Sequence, residues 1–259
     1  MASDSRLRFG CAWDCGPKVL LMPRSDVAIC FAGDTFYAYP LMLQLSSAIA
    51  HYGKSRSRAL DVFDLKGHTL RVFNKMRSLI SDLPSGRESP DPPDTRFILG
   101  GYSWKKKKFA IWVLHFNAYS KAFVFHPVTP WRASGRKQVA IEGDHVPEAK
   151  KLLIEKLRAA GKISSGGFDM EPFEVLRDMI RSGDYPSIGG PPQLVKIYEH
   201  MNVVPYGVYW PNRESGEVTM LGRPLLAYET PERRILDPDT LKTYIRLSKA
   251  TLSKTEGLQ

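Results

Sequence analysis

The residue patterns that could carry chemistry are few, and most fail on spacing. Gly161-Lys162 offers the lysine of a phosphate loop, but it lacks the upstream glycine and has no Ser or Thr directly after the lysine. No phosphate cradle is expected there. Ile188-Gly189-Gly190-Pro191 has no further glycine at dinucleotide spacing, and no G-x-S-x-G elbow presents a hydrolase serine. The six histidines are dispersed. His115 and His126 could face each other across a hairpin and bind a metal. Without a carboxylate or cysteine at ligand spacing they read as ordinary strand residues, and zinc is not expected at Cys11 and Cys15 either. The odd set Cys11, Cys15 and Cys30 points to free thiols in a reducing compartment.

The elements that must position any site follow from periodicity. Short apolar runs at Lys18 to Leu21 and Val27 to Phe31 predict two strands split by the turn Pro23-Arg24-Ser25-Asp26. Leu41, Leu45, Ile49 and Tyr52 share a helical face that Gly53 would end, and Leu70, Phe73, Met76, Ile80 and Leu83 predict a helix over 70–83. A proline-rich loop over 84–94 leads to strands over 95–102, 109–116, 121–126 and 138–143. Helices are expected over 147–160 and from Asp169, as cap, to Gly183, with Phe173, Leu176, Met179 and Ile180 on the buried face. Strands return at 193–198, 204–210, 217–221 and 225–228. Strands and helices in blocks suggest two antiparallel sheets covered by helices, and the missing βαβ alternation argues against a dinucleotide-binding sheet.

The 259 residues are 43% hydrophobic, enough for a full core, and no apolar run or leader suits a membrane or a secretory signal. The net charge of +10 is scattered except at Lys105-Lys106-Lys107-Lys108, which reads as a solvated hairpin tip in preference to a nucleic-acid contact.

Three stretches taken in order are more specific than any one alone. They are ASDSR followed by Lys18 and VLLMPRSDVAICFAGDT, then VAIEGDHVPEAKKLL, then GDYPSIGGPPQLVKIY. This order resembles the proteasome β-type N-terminal nucleophile hydrolases, including the bacterial heat-shock protease subunits. In that family a strand ends in A-x-D-S/G, a lysine follows on the next strand, and an F-A-G segment opens the first helix. Asp4, Lys18 and Phe31-Ala32-Gly33 take those places, and Asp184-Tyr185-Pro186-Ser187 matches a later D-x-x-S-G-G with Ile188 inserted before Gly189-Gly190. The resemblance spans about residues 2–200.

The resemblance implies an α+β fold, a four-layer αββα sandwich with two antiparallel sheets between helix layers. A single domain over 1–243 would carry extra strands or a family-specific extension at 204–243, followed by a tail over 244–259. It implies a threonine-type peptidase or amidohydrolase acting on a peptide or amide, without cofactor or metal. The chain would be cytoplasmic and assembled as a homo-oligomeric ring or stacked rings. Asp4, Lys18, Asp184 and Ser187 inherit catalytic roles, and Gly33 and Asp34 substrate-binding ones. In the family an N-terminal threonine attacks, its own amine is the base, and the lysine ammonium lowers the hydroxyl's effective pKa. Two departures stand out. Only Met1, Ala2 and Ser3 precede Asp4, so the family's first strand and its nucleophile are missing, and the chain as given is expected to be an inactive truncation. Gly143 in Glu142-Gly143-Asp144 stands where the family has a serine. The competing readings are a non-catalytic ring-forming scaffold subunit and, behind it, a basic nucleic-acid-binding protein.

Overall fold

Apolar runs bounded by turn residues become strands, and capped amphipathic runs become helices. In chain order the elements are β1 (Ala2–Ser3), β2 (Leu7–Arg8), β3 (Ala12–Trp13), β4 (Val19–Leu21), β5 (Val27–Gly33), α1 (Thr35–His51), α2 (Gly53–Arg56), α3 (Val62–Arg77), β6 (Thr95–Ser103), β7 (Lys108–Asn117), β8 (Ala122–Pro127), α4 (Val146–Ala159), α5 (Glu171–Ser182), β9 (Gln193–Ile197), β10 (Val203–Tyr209), β11 (Val218–Met220), β12 (Arg223–Pro224), β13 (Arg234–Leu236) and β14 (Thr243–Ile245). The computed structural model describes residues 1–87, 89–128, 130, 137–163, 167, 169–229 and 233–245. Among these residues the chain is mixed α+β, and no helix is long and apolar enough to cross a membrane. It divides into two compact units.

One unit runs from Val19 to Phe168 with a short return over Ile197–Val203. Its five strands form an antiparallel sheet in the order β4-β5-β6-β7-β8. Strand β5 is buried along Val27 to Phe31, as expected of a central strand covered on both faces. Phe73 of α3 meets Phe97 of β6 and Phe123 of β8 edge to face, with centroids 4.9 and 5.5 Å apart. The Asn74 amide pairs with both backbone groups of Phe123 and so covers part of the β8 edge. In the β4–β5 turn Arg24 and Asp26 form a fully buried ion pair at 2.6 Å, and the remaining guanidinium donors reach Ser55 O and Leu60 O at 3.0 and 2.9 Å.

The other unit comprises Met1–Lys18, Asp169–Lys196 and the described residues from Val204 onward. Its sheet runs β1-β9-β10-β11-β12, with β13 parallel to β10 and β14 antiparallel to β13. Phe173 of α5 packs with Leu194, Tyr206, Val208 and Leu236 as the core of this unit. The β2–β3 hairpin stands apart as a two-stranded ribbon.

Several elements depart from expectation. Helix α3 begins at Val62, not Leu70, because the Asp61 carboxylate accepts from Phe63 N and caps it there. Its buried face is Val62, Leu65, Thr69 and Phe73, and Ile80 lies beyond its end and is exposed. Helix α1 ends at Tyr52 with no glycine cap. Asp169 does not cap α5; Met170 occupies that position, while Gly183 ends the helix in the left-handed conformation as expected. Over 138–143, among the described residues, only Gln138 pairs, in an isolated bridge to Pro130. Residues 225–228 form no strand; β12 lies just before them. The short strands β1, β2, β3, β13 and β14 carry too few residues to show a period, and β14 runs on to Ile245. Of the expected tail, residues 246–259 lie outside the described residues.

Candidate active site around Asp4 and Lys18

Strand β1 pairs Ser3 with Gln193 of β9, which places the next residue, the buried Asp4, just past the end of β1. Between Asp4 and Lys18 the chain makes the β2–β3 hairpin and returns, and Gly16 N donates to Ser5 O at 2.8 Å. Glycine is required at 16, since a Cβ there would lie 2.3 Å from the Leu7 side chain. The return brings Lys18 Nζ to 2.7 Å from Asp4 Oδ1, with side-chain exposures of only 13% and 11%.

The other carboxylate oxygen of Asp4 accepts from Arg6 N and Gly189 N, both at 3.1 Å. Ser5 N in turn donates to Gly189 O at 2.9 Å. The Pro186–Pro191 segment is further tied by Arg6. Its guanidinium holds Asp14 bidentately at 2.7 and 2.8 Å and reaches the carbonyls of Pro186 and Ile188. The hydrogen bond to Asp14 raises the Arg6 pKa, and the same bond lowers that of Asp14. Gly190 at φ +69° passes so close to Asp14 that a Cβ would lie 2.6 Å from its carbonyl oxygen. The paired glycines therefore serve backbone contact beside Asp4.

Gln193, fully buried, is the hub that sequence reasoning missed. Its amide nitrogen donates to Gly16 O at 2.7 Å and to Asp4 O and Ser5 Oγ at 3.2 Å, and its oxygen accepts from Lys18 N at 3.1 Å. The available signal was a lone amide heading the apolar run Leu194-Val195.

The other two residues with implied catalytic roles are placed differently. Asp184 is exposed, two residues past the end of α5. Ser187 Oγ is buried and has no hydrogen-bond partner among the described residues, so it is not bonded to Asp184. In the other unit Gly33 adopts φ +97°, and a Cβ there would meet Asp94 O at 2.1 Å. That contact alone demands glycine. Asp34 caps α1 by accepting from Phe36 N at 2.8 Å. A Cβ at Gly143 would lie 4.0 Å from Ala32, so the Glu142–Asp144 turn neighbours the end of β5.

His115 and His126 do meet, with ring centroids 4.5 Å apart. No group of three or more His, Cys, Asp or Glu able to hold a metal occurs among the described residues. Burial first, then His126 and Arg96, lower the His115 pKa, with Glu142 opposing. A histidine with a depressed folded pKa contributes stability above its unfolded pKa and loses it as pH falls through the folded value. The melting temperature is therefore expected to fall as pH drops below about 6.5, and less steeply in His115→Leu. His68, also lowered by burial, is common to both proteins and cancels. Melts across pH with identical slopes would assign the acid sensitivity elsewhere.

No protein-family model matches this sequence, and no curated protein does. Among solved structures the chain is similar to the Anbu (Gly-1) mutant from Hyphomicrobium sp. strain MC1, at 13% identity and a TM-score of 0.49 over 78% of each chain. It is likewise similar to Anbu in the helical assembly from Pseudomonas aeruginosa, at 14% identity and a TM-score of 0.49, covering 88% of this chain and 82% of that one.

Proposed function

We propose that Asp4 and Lys18 form the electrostatic centre of a proteasome-like amide-hydrolase site. The observation that carries this reading is the enclosed 2.7 Å ion pair, whose carboxylate is held on its far side by two backbone N–H groups. Lys18 directs one of its three ammonium N–H bonds to Asp4 and has no second side-chain partner among the described residues. Two donors are thus left for an oxygen that gains negative charge during acyl transfer. The family resemblance supplies the rest of the scheme: an N-terminal hydroxyl attacks the amide carbonyl and the adjacent amine takes its proton. The αββα layering and a ring-like homo-oligomer belong to the same reading.

A non-catalytic assembly subunit is the second reading. It is favoured by Asp184 standing in solvent and by Ser187 lacking a partner, since the family's amine-orienting pair is then not assembled. Met1 offers no hydroxyl to attack with, so the test uses the protein isolated from its source cells, a panel of fluorogenic peptides, and an irreversible β-lactone whose adduct is located by mass spectrometry. Turnover with one stoichiometric adduct is the expected result. Absence of both across the panel selects the scaffold reading.

A further inference from the structure

Two basic runs that are separate in the sequence meet at one end of the five-stranded sheet. Lys54, Arg56 and Arg58 lie in and just after α2; Lys105 to Lys108 form the β6–β7 hairpin tip. They join where Trp104 Nε1 donates to Arg58 O at 3.1 Å, 46 residues apart. Both runs stand on ordered backbone. The buried Arg24 grips Ser55 O and Leu60 O from beneath one of them. Asp61 accepts from Ser103 Oγ and Lys105 N beneath the other. Arg58 is held in the left-handed region at φ 66°, with its guanidinium on Ser25 Oγ at 3.0 Å.

The carboxylates on the same segments are Asp61, buried and bonded to Ser103, and Asp64, paired with Lys105 at 2.9 Å. Seven cations against two carboxylates leave an excess of five in a chain whose net charge is +10. Read alone, the lysine run is a solvated turn; the second run beside it concentrates the charge.

The nearby aromatic rings are already engaged. The Trp104 indole N–H is bonded to Arg58, Phe109 sits edge-on to Tyr102 with centroids 5.1 Å apart, and Lys106 Nζ lies 3.9 Å over Phe63. Trp104 and Phe109 are nevertheless 43% and 46% exposed, so these two rings lie at the surface beside the cations. What distinguishes this end of the sheet is an array of ammonium and guanidinium groups carried on ordered backbone. It calls for a partner of matching charge density, and a duplex carries one negative charge per about 1.7 Å of axis. We infer that this end of the sheet binds the phosphate backbone of nucleic acid without reading its sequence. This inference is independent of the Asp4–Lys18 reading.

Fluorescence anisotropy with two unrelated duplexes of about 20 base pairs, from about 50 to about 200 mM salt, tests it. Both duplexes should bind equally, with affinity falling linearly on a log–log plot against salt. Changing Lys105, Lys106, Lys107 and Lys108 together to Gln should weaken binding at least about tenfold at the lowest salt and reduce the salt slope by about three. Lys54→Gln with Arg56→Gln should weaken it from the other run. A charge-matched control, Lys75→Gln, Lys121→Gln, Lys150→Gln and Lys151→Gln, should stay within about twofold. Circular dichroism melts verify that each variant is folded. The inference is overturned by no duplex binding at about 50 mM salt, by equal losses in patch and control variants, or by tighter binding to phosphatidylserine vesicles or polyglutamate than to the duplexes.

Discussion

Lys18→Ala is expected to abolish turnover and β-lactone labelling in the protein isolated from its source cells while leaving a cooperative fold. The ammonium acts through its charge, in a site where only 13% of the lysine side chain reaches solvent. Loss of one such donor costs about 100- to 1,000-fold in rate, or about 3–4 kcal/mol. The fold tolerates the change because the Asp4 carboxylate keeps its two backbone donors, Arg6 N and Gly189 N. Asp4→Asn should behave in the opposite sense. It keeps an acceptor for those N–H groups but strips the enclosed ammonium of its counterion, at about 3 kcal/mol of stability. Ser187→Ala should be milder than either, since its hydroxyl has no hydrogen bond to lose among the described residues. Labelling of Lys18→Ala at the wild-type rate would make the lysine a bystander. An Asp4→Asn protein that melts above Lys18→Ala would show that the pair does not hold the site as argued.

Gln193→Leu should cost more stability than any of the changes at Asp4, Lys18 or Ser187. Leucine matches the volume and offers no hydrogen bond. Asp4 O, Ser5 Oγ, Gly16 O and Lys18 N would all lose the bond that Gln193 makes to them. Two N–H groups and one oxygen hold about three full bonds at about 1 kcal/mol each, and the buried acceptors left unpaired add to that, so the expected cost is about 4 kcal/mol, read as a lower urea midpoint with an unchanged m-value. Gln193→Glu keeps the shape but would set a buried carboxylate against the Asp4 and Gly16 carbonyl oxygens, and should be at least as destabilising as leucine. A leucine variant within about 1 kcal/mol of wild type would mean that water takes over the four contacts.

These two expectations separate what could be read locally from what could not. Strands β5 to β8 and helices α4 and α5 were legible because each is long enough to show an apolar run or a period of its own. Helix α3 was placed eight residues late because the apolar residues continue past its end, whereas its start is set by one hydrogen bond from Phe63 N to Asp61. The expected strand over 138–143 has the right composition, but among the described residues only Gln138 pairs. A strand needs a neighbour, and composition does not supply one.

The same distinction runs through the site. Asp4, Lys18, Asp184 and Ser187 could be nominated from motif order alone, because residue types and spacing along a chain are sequence properties. Which of them meet is another matter. The Asp4–Lys18 contact needs the hairpin between them to fold back, and the far side of Asp4 needs Gly189, 185 residues away. Gln193 reaches residues 175 to 189 positions distant, so no window of sequence could mark it as the hub. The basic runs at 54–58 and 105–108 are plain in the sequence, and their union through Trp104 is not. The sequence by itself determined the inventory: a basic α+β chain with a carboxylate, a lysine and paired glycines in a recognisable order. Only the tertiary structure decided which charges share an enclosed space, because that depends on chain closure over long separations, where local propensity carries no information.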